Sequence, residues 1–306
     1  MPLIAKPQQA HKVPLVGILV SSGSPGDSDF REGLRHLGYV EGKNIALAYR
    51  SANGKQEALP DLAAELVRLH VDVLYALGRP ALKAAMEATS AIPIVALDLE
   101  TDPVQSGLAR SLSRPGGNVT GLFLNLPSLA GKWLELIKEA DPRIHHVGVL
   151  WDSTTGPWQL AAAKTAAQGF AVDLQVLEVR TSADFAEALN AGVRRGARAL
   201  VVLSSPIASA NSKQIADFTA TNQLPAISPF WEFAQNGGLM SYGPNMAKFD
   251  PHAAIYVDKI LKGAKVGDLP IEQPTKFLLK INLKTAKAFG LTMPQSLLLR
   301  ADEVFQ

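Results

Sequence analysis

Short apolar segments rich in β-branched residues recur along the chain, and amphipathic segments separate most of them. Short apolar runs bounded by turn residues are typical of buried strands, whereas apolar residues at spacings of three and four indicate helices. In the first half, this pattern predicts five strands: Val16–Val20, Ile45–Tyr49, Val73–Leu77, Ile94–Leu97 and Val119–Leu124. It also predicts four helices: Asp29–Leu37, Leu59–Leu69, Pro80–Thr89 and Val104–Leu112.

The second half follows the same plan without residue-level repetition. Its predicted strands are His146–Leu150, Val172–Val179, Ala199–Leu203, Ala226–Pro229 and Leu239–Tyr242. Its predicted helices are Leu129–Ala140, Trp158–Gln168, Ala183–Arg195, Ala208–Asn222 and Glu232–Asn236. A long helix over Pro251–Lys262, a strand over Lys276–Asn282 and a short helix near Thr285–Phe289 close the chain.

Strands that alternate with helices predict parallel sheets, joined by right-handed crossovers and covered by helices on both faces. The fold class is therefore α/β, with two doubly wound parallel-sheet lobes joined by a multi-strand hinge. We expect residues 13–124 with about 245–272 to form the first lobe, and 125–244 with about 273–306 the second. Residues 1–12 are predicted to be an extended tail, and a ligand cleft is predicted between the lobes.

Composition agrees with two globular domains. The chain has 306 residues, of which 47% are hydrophobic and 19% are charged, so it can bury a large core. Its length exceeds the roughly 150–200 residues of an ordinary single core. No apolar run reaches the roughly 18 residues of a membrane span.

Charge and cysteine content exclude several classes of function. The 30 basic and 28 acidic residues give a net charge of +2 with no block of like charge, so we expect no nucleic-acid partner. With no cysteine, the chain has no thiol nucleophile, disulfide or thiolate metal site. We expect no metal and no cofactor.

The residues that follow the predicted strands are the candidates for ligand binding. In open parallel sheets, ligands bind beyond the carboxyl ends of the strands. The candidate ligand-binding residues at these positions are Ser21, Ser22, Gly78, Arg79, Pro80, Asp98, Asn125, Trp151, Asp152, Ser204, Ser205, Phe230 and Tyr242.

These residue types predict a pocket for a small zwitterion or carboxylate with a flat apolar part. Small and hydroxyl residues before helices leave backbone N–H groups free for an anion. The carboxylates Asp98, Asp102 and Asp152 suit an ammonium group, and Trp151, Trp158 and Trp231 lie at or near strand ends. Each feature has a structural alternative, because Ser and Asp before helices are commonly N-caps and a tryptophan there is commonly part of the core.

Arg79 has two interpretations. A guanidinium between a strand and the start of a helix is suited to a bidentate carboxylate clamp. The alternative is that Arg79 is an ion-pair partner for the other lobe.

The common motifs of nucleotide-dependent and hydrolytic enzymes are missing. The segment SSGSPGDSDF after the first strand lacks the GxGxxG spacing, and the sequence has no GxxxxGK[ST] loop and no GxSxG elbow. None of the six histidines falls at the carboxyl end of a predicted strand. We therefore expect no catalytic residues and no enzyme; the alternative is a small-molecule sensor or an enzyme that uses only carboxylates on the same fold.

Long ordered segments resemble a known family. They include FREGLRHLGYVEGKNIALAYR, TSAIPIVALDLETDPV, SLSRPGGNVTGL, GGLMSYGPN and YVDKILKGAKVGDLPIEQPTKFLLKINLKTAKAFGLTMPQSLLLRADEVF. From about residue 13 to the C-terminus, the chain resembles the ABC-transporter substrate-binding family that includes bacterial tryptophan- and tyrosine-binding lipoproteins. The resemblance implies a type I periplasmic binding fold, a three-stranded hinge and an aromatic amino acid or related aromatic solute.

The resemblance also implies a permease and an ATPase as partners, and a protein that works as a monomer. The N-terminal residues MPLIAKPQQAHKVP do not form a secretory signal, which leaves a cytoplasmic protein or a removed signal open. The resemblance favours the second, and hence a periplasmic or extracytoplasmic location. Arg79 departs from the family's small or hydroxyl residue, which favours a carboxylate ligand and puts transfer of an amino-acid specificity in doubt.

Overall fold

The computed structural model describes residues 13–21, 29–245 and 249–306. The predicted tail over residues 1–12 and the candidate Ser22 lie outside the described residues.

The first lobe is built on a five-stranded, wholly parallel sheet with the order β2-β1-β3-β4-β5. The alternation of strands and helices predicts this arrangement, and the class of fold is confirmed. The strands are β1 Leu15–Val20, β2 Ala46–Ser51, β3 Val73–Leu77, β4 Ile94–Asp98 and β5 Val119–Phe123. The helices are α1 Asp29–His36, α2 Leu59–Arg68 and α3 Arg79–Ala88.

The second lobe contains a seven-stranded sheet with the order β12-β11-β10-β9-β8-β6-β7. All of its pairings are parallel except that between β10 and β11. The strands are β6 His146–Asp152, β7 Asp173–Val179, β8 Ala199–Val202, β9 Ala226–Ser228, β10 Met240–Pro244, β11 Phe277–Asn282 and β12 Glu303–Phe305. The remaining helices are α4 Ala130–Ala140, α5 Trp158–Phe170, α6 Phe185–Arg194, α7 Pro206–Ala210, α8 Ser212–Thr221, α9 Trp231–Gln235, α10 Phe249–Leu261, α11 Leu283–Ala288 and α12 Gln295–Arg300.

The chain passes between the two sheets three times. After β5 it enters the second lobe, after β10 it returns so that α10 packs against α1 and strands β3 to β5, and before β11 it crosses again. Before that last crossing, Glu272 extends the first sheet, because its N–H donates to the Gly121 carbonyl and its carbonyl accepts from Phe123. Gly33 in α1 allows a close approach to α10, since a Cβ there would lie 2.8 Å from the Pro251 carbonyl oxygen.

Two local predictions are wrong, and two short elements were not predicted. The segment predicted as a helix over Val104–Leu112 forms turns, with Gly107 at φ +75° in a conformation that ends a helix. The helix predicted over Ala208–Asn222 is two helices, α7 and α8, which meet at Asn211. Helix α12 and strand β12 were not predicted, because a six-residue helix and a three-residue strand are too short to show periodicity.

Gly121 provides a test of the packing between β4 and β5. Its φ is +127°, and a Cβ would lie 2.2 Å from the carbonyl oxygen of Ala96, its partner in the register. We expect Gly121→Ala to lower the free energy of unfolding by at least about 2 kcal/mol in urea titrations.

Gly169→Ala is the matched control, because Gly169 lies in α5 and a Cβ there would meet nothing within 4 Å. That variant should gain about 0.5–1 kcal/mol from helix propensity. Equal stabilities of the two variants would contradict the proposed steric conflict.

Candidate functional site

The carboxyl ends of strands from both sheets face each other across a cavity of about 250 Å³. This volume lies just below the roughly 300–1,000 Å³ of typical ligand pockets, so the cavity suits a small molecule. The first lobe contributes Val20, Ser21, Gln56, Leu77, Gly78, Arg79, Pro80, Leu97, Leu99 and Glu100. The second lobe contributes Thr155, Ser204, Ser205 and Pro206.

Six of the thirteen sequence-predicted candidates line this cavity: Ser21, Gly78, Arg79, Pro80, Ser204 and Ser205. Six others, described below, lie outside its lining: Asp98, Asn125, Trp151, Asp152, Phe230 and Tyr242. The polar lining residues that sequence analysis missed are Gln56, Glu100 and Thr155. All three come shortly after a strand, so the same strand-end rule, applied a few residues further along, points to them.

Asp98 organises the turn after β4. Its Oδ1 accepts hydrogen bonds from the N–H groups of Glu100 (2.8 Å) and Thr101 (3.0 Å), and its Oδ2 accepts from the Thr101 hydroxyl at 2.6 Å. The carboxylate is fully buried and engaged by its own loop. It holds Glu100 in place at the edge of the cavity.

Asp152 and Trp151 have local partners at the end of β6. One oxygen of Asp152 accepts from the N–H (2.9 Å) and the hydroxyl (2.6 Å) of Thr154. The indole N–H of Trp151 donates to the Gly156 carbonyl at 2.9 Å, and its ring packs against the main core cluster. Both residues shape the loop that brings Thr155 to the cavity.

The remaining three candidates support the fold around the cavity. Asn125 has a left-handed backbone (φ +47°), and its amide lies 3.5 Å from Asp102. Phe230 is half-buried against the main core cluster. Tyr242 stacks on Phe277 with ring centroids 6.0 Å apart, and its carbonyl accepts from the Trp133 indole N–H.

Helix α3 begins at the cavity wall. Gly78 precedes it with φ +82°, and its N–H donates to the Leu97 carbonyl, which ties the turn to β4. No side chain caps this helix, whereas the Ser205 hydroxyl caps α7 by accepting from the Ala208 N–H at 3.0 Å. An uncapped helix start of this kind favours a negative group nearby.

Arg79 joins the two lobes at the rim of the cavity. Its guanidinium donates to the Thr101 hydroxyl and lies 5.1 Å from the ring centroid of Trp158, which belongs to α5 of the second lobe. Trp158 is 52% exposed, so this cation–π contact lies at the surface. Of the two interpretations of Arg79, the interlobe contact is present, although its partner is an indole ring and not an acid.

Two buried hydroxyl groups in the cavity wall have no hydrogen-bond partner among the residues that the structure describes. They are Ser21 Oγ of the first lobe and Ser204 Oγ of the second, on residues that are 8% and 1% exposed. The backbone of Ser204 is held by Gln159, whose side-chain amide exchanges two hydrogen bonds of 2.9 Å with it. A buried hydroxyl without a hydrogen-bond partner destabilises the folded protein by about 1–3 kcal/mol. A ligand that forms hydrogen bonds with this pair of hydroxyls would remove that penalty.

Among the described residues that line the cavity, Glu100 has the one carboxyl group, and it is 7% exposed. Burial, with the nearby Asp98 and Asp152 carboxylates, raises the pKa of Glu100 to about 8, although Gln159 and Arg79 favour its ionised form. Near neutral pH, the side chain is therefore largely a neutral acid in the absence of a cation.

The described residues contain no group of three or more histidine, aspartate or glutamate side chains arranged to hold a metal ion. Among the same residues, no helix combines the length and apolar character that crossing a membrane requires.

Comparison with known proteins identifies the family. The profile of the family described as ABC transporter substrate binding protein matches residues 25–305. The chain is 28% identical over 272 residues to a tyrosine-binding protein of Clostridioides difficile, which covers 86% of this chain and 75% of that relative.

Solved structures show the same architecture. A conserved domain protein from Vibrio cholerae superposes with a TM-score of 0.85 at 27% identity, covering 96% of this chain and all of that one. An ABC domain from Streptococcus pneumonia, in complex with L-Trp, superposes with a TM-score of 0.84 at 23% identity and the same coverage. The protein therefore belongs to the ABC transporter substrate-binding family, and the predicted resemblance and fold are confirmed.

Glu100 makes a testable contribution to the pH dependence of stability. Its ordinary pKa of 4.5 applies in the unfolded chain, and the native state keeps its proton up to about pH 8. Between these values the unfolded state binds fewer protons, so Glu100 lowers stability as pH rises. Glu100→Gln should therefore stabilise the protein by a few kcal/mol at most at pH 8, and by much less at pH 5.

Urea unfolding of the parent and the variant at pH 5 and pH 8 measures this difference. Glu187→Gln is the control, because Glu187 is exposed on α6 and does not line the cavity. A Glu100→Gln variant whose stability changes with pH in the same way as the parent's would contradict the raised pKa.

Proposed function

We propose that this protein is the extracytoplasmic solute-binding component of a bacterial ABC importer, and that it captures an aromatic amino acid by closure of its two lobes. The observation that carries the proposal is the cavity between the lobes, with the unpartnered Ser21 and Ser204 hydroxyls on opposite walls. A ligand that bonds to both hydroxyls stabilises the closed arrangement over any open one.

The cavity wall favours a ligand with an apolar body and charged ends. Six apolar side chains line it: Val20, Leu77, Pro80, Leu97, Leu99 and Pro206. The polar lining residues come from both lobes, and polar groups of this kind fix the orientation of a ligand in a small-molecule pocket. The uncapped start of α3 suits a ligand carboxylate, and the apolar wall suits an aromatic ring.

The relatives support the same ligand class. The curated relative is a tyrosine-binding protein, and one superposing structure holds L-Trp. Both ligands combine an aromatic ring with an ammonium and a carboxylate group. We propose that this chain binds a solute of that class and releases it chemically unchanged, so that it is not an enzyme.

The lobe boundaries are part of this proposal. Residues 13–124 with about 245–272 move as one lobe, and 125–244 with about 273–306 as the other. The packing of α10 against α1 supports the assignment of the first, discontinuous lobe. The segments that cross between the sheets would then bend as the hinge.

We propose a permease and an ATPase as partners and a monomeric protein that acts outside the cytoplasmic membrane, in the periplasm or at the extracytoplasmic face. Substrate-binding proteins of ABC transporters deliver their solutes to such a complex. The family assignment supports these proposals.

Titration calorimetry with L-tryptophan, L-tyrosine and L-phenylalanine tests the ligand class. We expect at least one to bind with a micromolar or tighter Kd, about −8 kcal/mol or better, and to be recovered unchanged. Glucose and an aliphatic amino acid serve as controls. If no aromatic amino acid binds, the proposed class is wrong; if a bound ligand is consumed, the protein is an enzyme.

The Arg79–Trp158 contact should contribute to closure. Arg79→Ala and Trp158→Ala should each weaken binding of the aromatic amino acid several-fold, because they remove an attraction that exists only when the lobes meet. In the double variant, the loss of binding free energy should be smaller than the sum of the losses in the two single variants. The difference, which is the coupling energy, should be about 0.5–2 kcal/mol.

Trp231→Ala is the matched control, because Trp231 also makes a cation–π contact but within the second lobe. The Lys280 ammonium lies 4.7 Å from the centroid of its ring. Trp231→Ala should leave affinity unchanged. Additive effects of the Arg79 and Trp158 substitutions would show that their contact does not couple to binding.

A further inference from the structure

The lining of the interlobe cavity carries one acid and one base among the described residues, Glu100 and Arg79. The guanidinium is already engaged, because it contacts Thr101 and covers the Trp158 ring. The carboxyl of Glu100 is nine-tenths buried in the same wall. Of these two charged groups, Glu100 is therefore the one that a ligand of opposite charge would stabilise most.

Two neighbouring carboxylates add to this effect. Asp98 is the last residue of β4 in the first lobe, and Asp152 is the last residue of β6 in the second. Asp98 binds its own loop through both oxygens, and Asp152 is engaged by Thr154. Their local roles leave Glu100 as the carboxyl that faces the cavity.

The charged groups that act on Glu100 are Asp98 at the end of β4, Asp152 of the opposite lobe and Arg79 of α3, and the uncharged amide of Gln159 on α5 forms a hydrogen bond with its side chain. Three acids face one guanidinium. A negative charge on Glu100 is unfavourable in this setting until a positive charge enters the cavity. The two unpartnered hydroxyls of Ser21 and Ser204 line the same cavity and identify it independently as a place for polar ligand atoms.

We propose that Glu100 is the specificity-determining residue of this cavity, selecting ligands that carry an ammonium group and releasing its own proton to solvent when the ammonium binds. The inference rests on the proposed function and deepens it. The ligand's N–H groups donate to the carboxylate, and the proton that leaves Glu100 goes to the buffer. Apart from the O–H bond of the Glu100 acid, whose proton the buffer takes up, no covalent bond changes.

The raised pKa of Glu100 supports this proton release, because the acid is largely protonated near pH 7 until a cation binds. An ammonium ligand lowers the pKa of that carboxyl by direct attraction. Glu100 would therefore discriminate between aromatic amino acids and aromatic carboxylates without an amino group. An apolar cavity alone would not distinguish these two ligand classes.

Titration calorimetry with matched ligand pairs tests the selectivity. The pairs are L-tryptophan with indolepropionate and L-tyrosine with hydroxyphenylpropionate, which differ in the ammonium group. For the parent protein, we expect the amino acid that binds to do so roughly 30-fold or more tightly than its deaminated analogue, because a buried charge-assisted pair is lost.

Glu100→Gln should reverse this preference or abolish it. The amide cannot offer a negative charge, so amino-acid affinity should fall roughly 30-fold or more while affinity for the deaminated analogue stays equal or rises. Glu187→Gln, an exposed change in the second lobe, should keep the parent's affinities. Thermal unfolding of each variant shows whether it is folded.

Proton release is the second, independent readout. Calorimetry at pH 7 in two buffers of different ionisation enthalpy counts the protons exchanged on binding. We expect the parent to release a substantial fraction of one proton per ligand, and Glu100→Gln to release none.

The outcomes separate the two proposals. If the parent binds an amino acid and its deaminated analogue equally, with no proton release, the solute-binding role stands and the role of Glu100 is wrong. If the deaminated acids bind and the amino acids do not, the role of Glu100 is overturned and the ligand is an aromatic carboxylate. If no member of either pair binds, the proposed ligand class fails and the inference about Glu100 fails with it.

Discussion

The structure depends on one constraint at the edges of its sheets: a polar group buried at the end of a strand needs a hydrogen-bond partner. Most such groups have one in their own loop. Asp98 binds the backbone after β4, and Ser205 caps α7. Four buried side-chain atoms of the described residues lack a partner, and two of them, the hydroxyls of Ser21 and Ser204, lie on the walls of one cavity. The same constraint therefore explains the hydrogen bonds within the loops and indicates where a ligand would supply the missing partners.

The position of these groups follows from how the two lobes meet. Parallel strands direct all their carboxyl ends to one edge of each sheet, and the three passages of the chain bring the two edges together. Along the chain, helix α10 follows most of the second lobe but packs against the first, so neither lobe is a continuous segment. Such a connection permits bending without separating the lobes.

Charge in the cavity is asymmetric for the same reason. Arg79 begins α3 and reaches across to Trp158, so the one base among the lining residues takes part in joining the lobes. Glu100 remains in the wall with its pKa raised by burial. An acid that is costly to ionise without a partner is a selective group, because only a cation relieves the cost.

The sequence by itself determined the class of fold, most of the strands and helices, and the edge at which to look for a site. These depend on periodicity and strand order, which are local or nearly local properties. It also placed Ser21, Arg79 and Ser204 among the candidates. Only the tertiary structure decided which strand-end residues face the cavity, because Asp98 and Asp152 differ from Glu100 in their hydrogen-bond partners and not in their pattern along the chain. Packing between residues far apart in the chain determines the turns, the short end segments and the contacts between the lobes. Periodicity along the sequence does not report that packing.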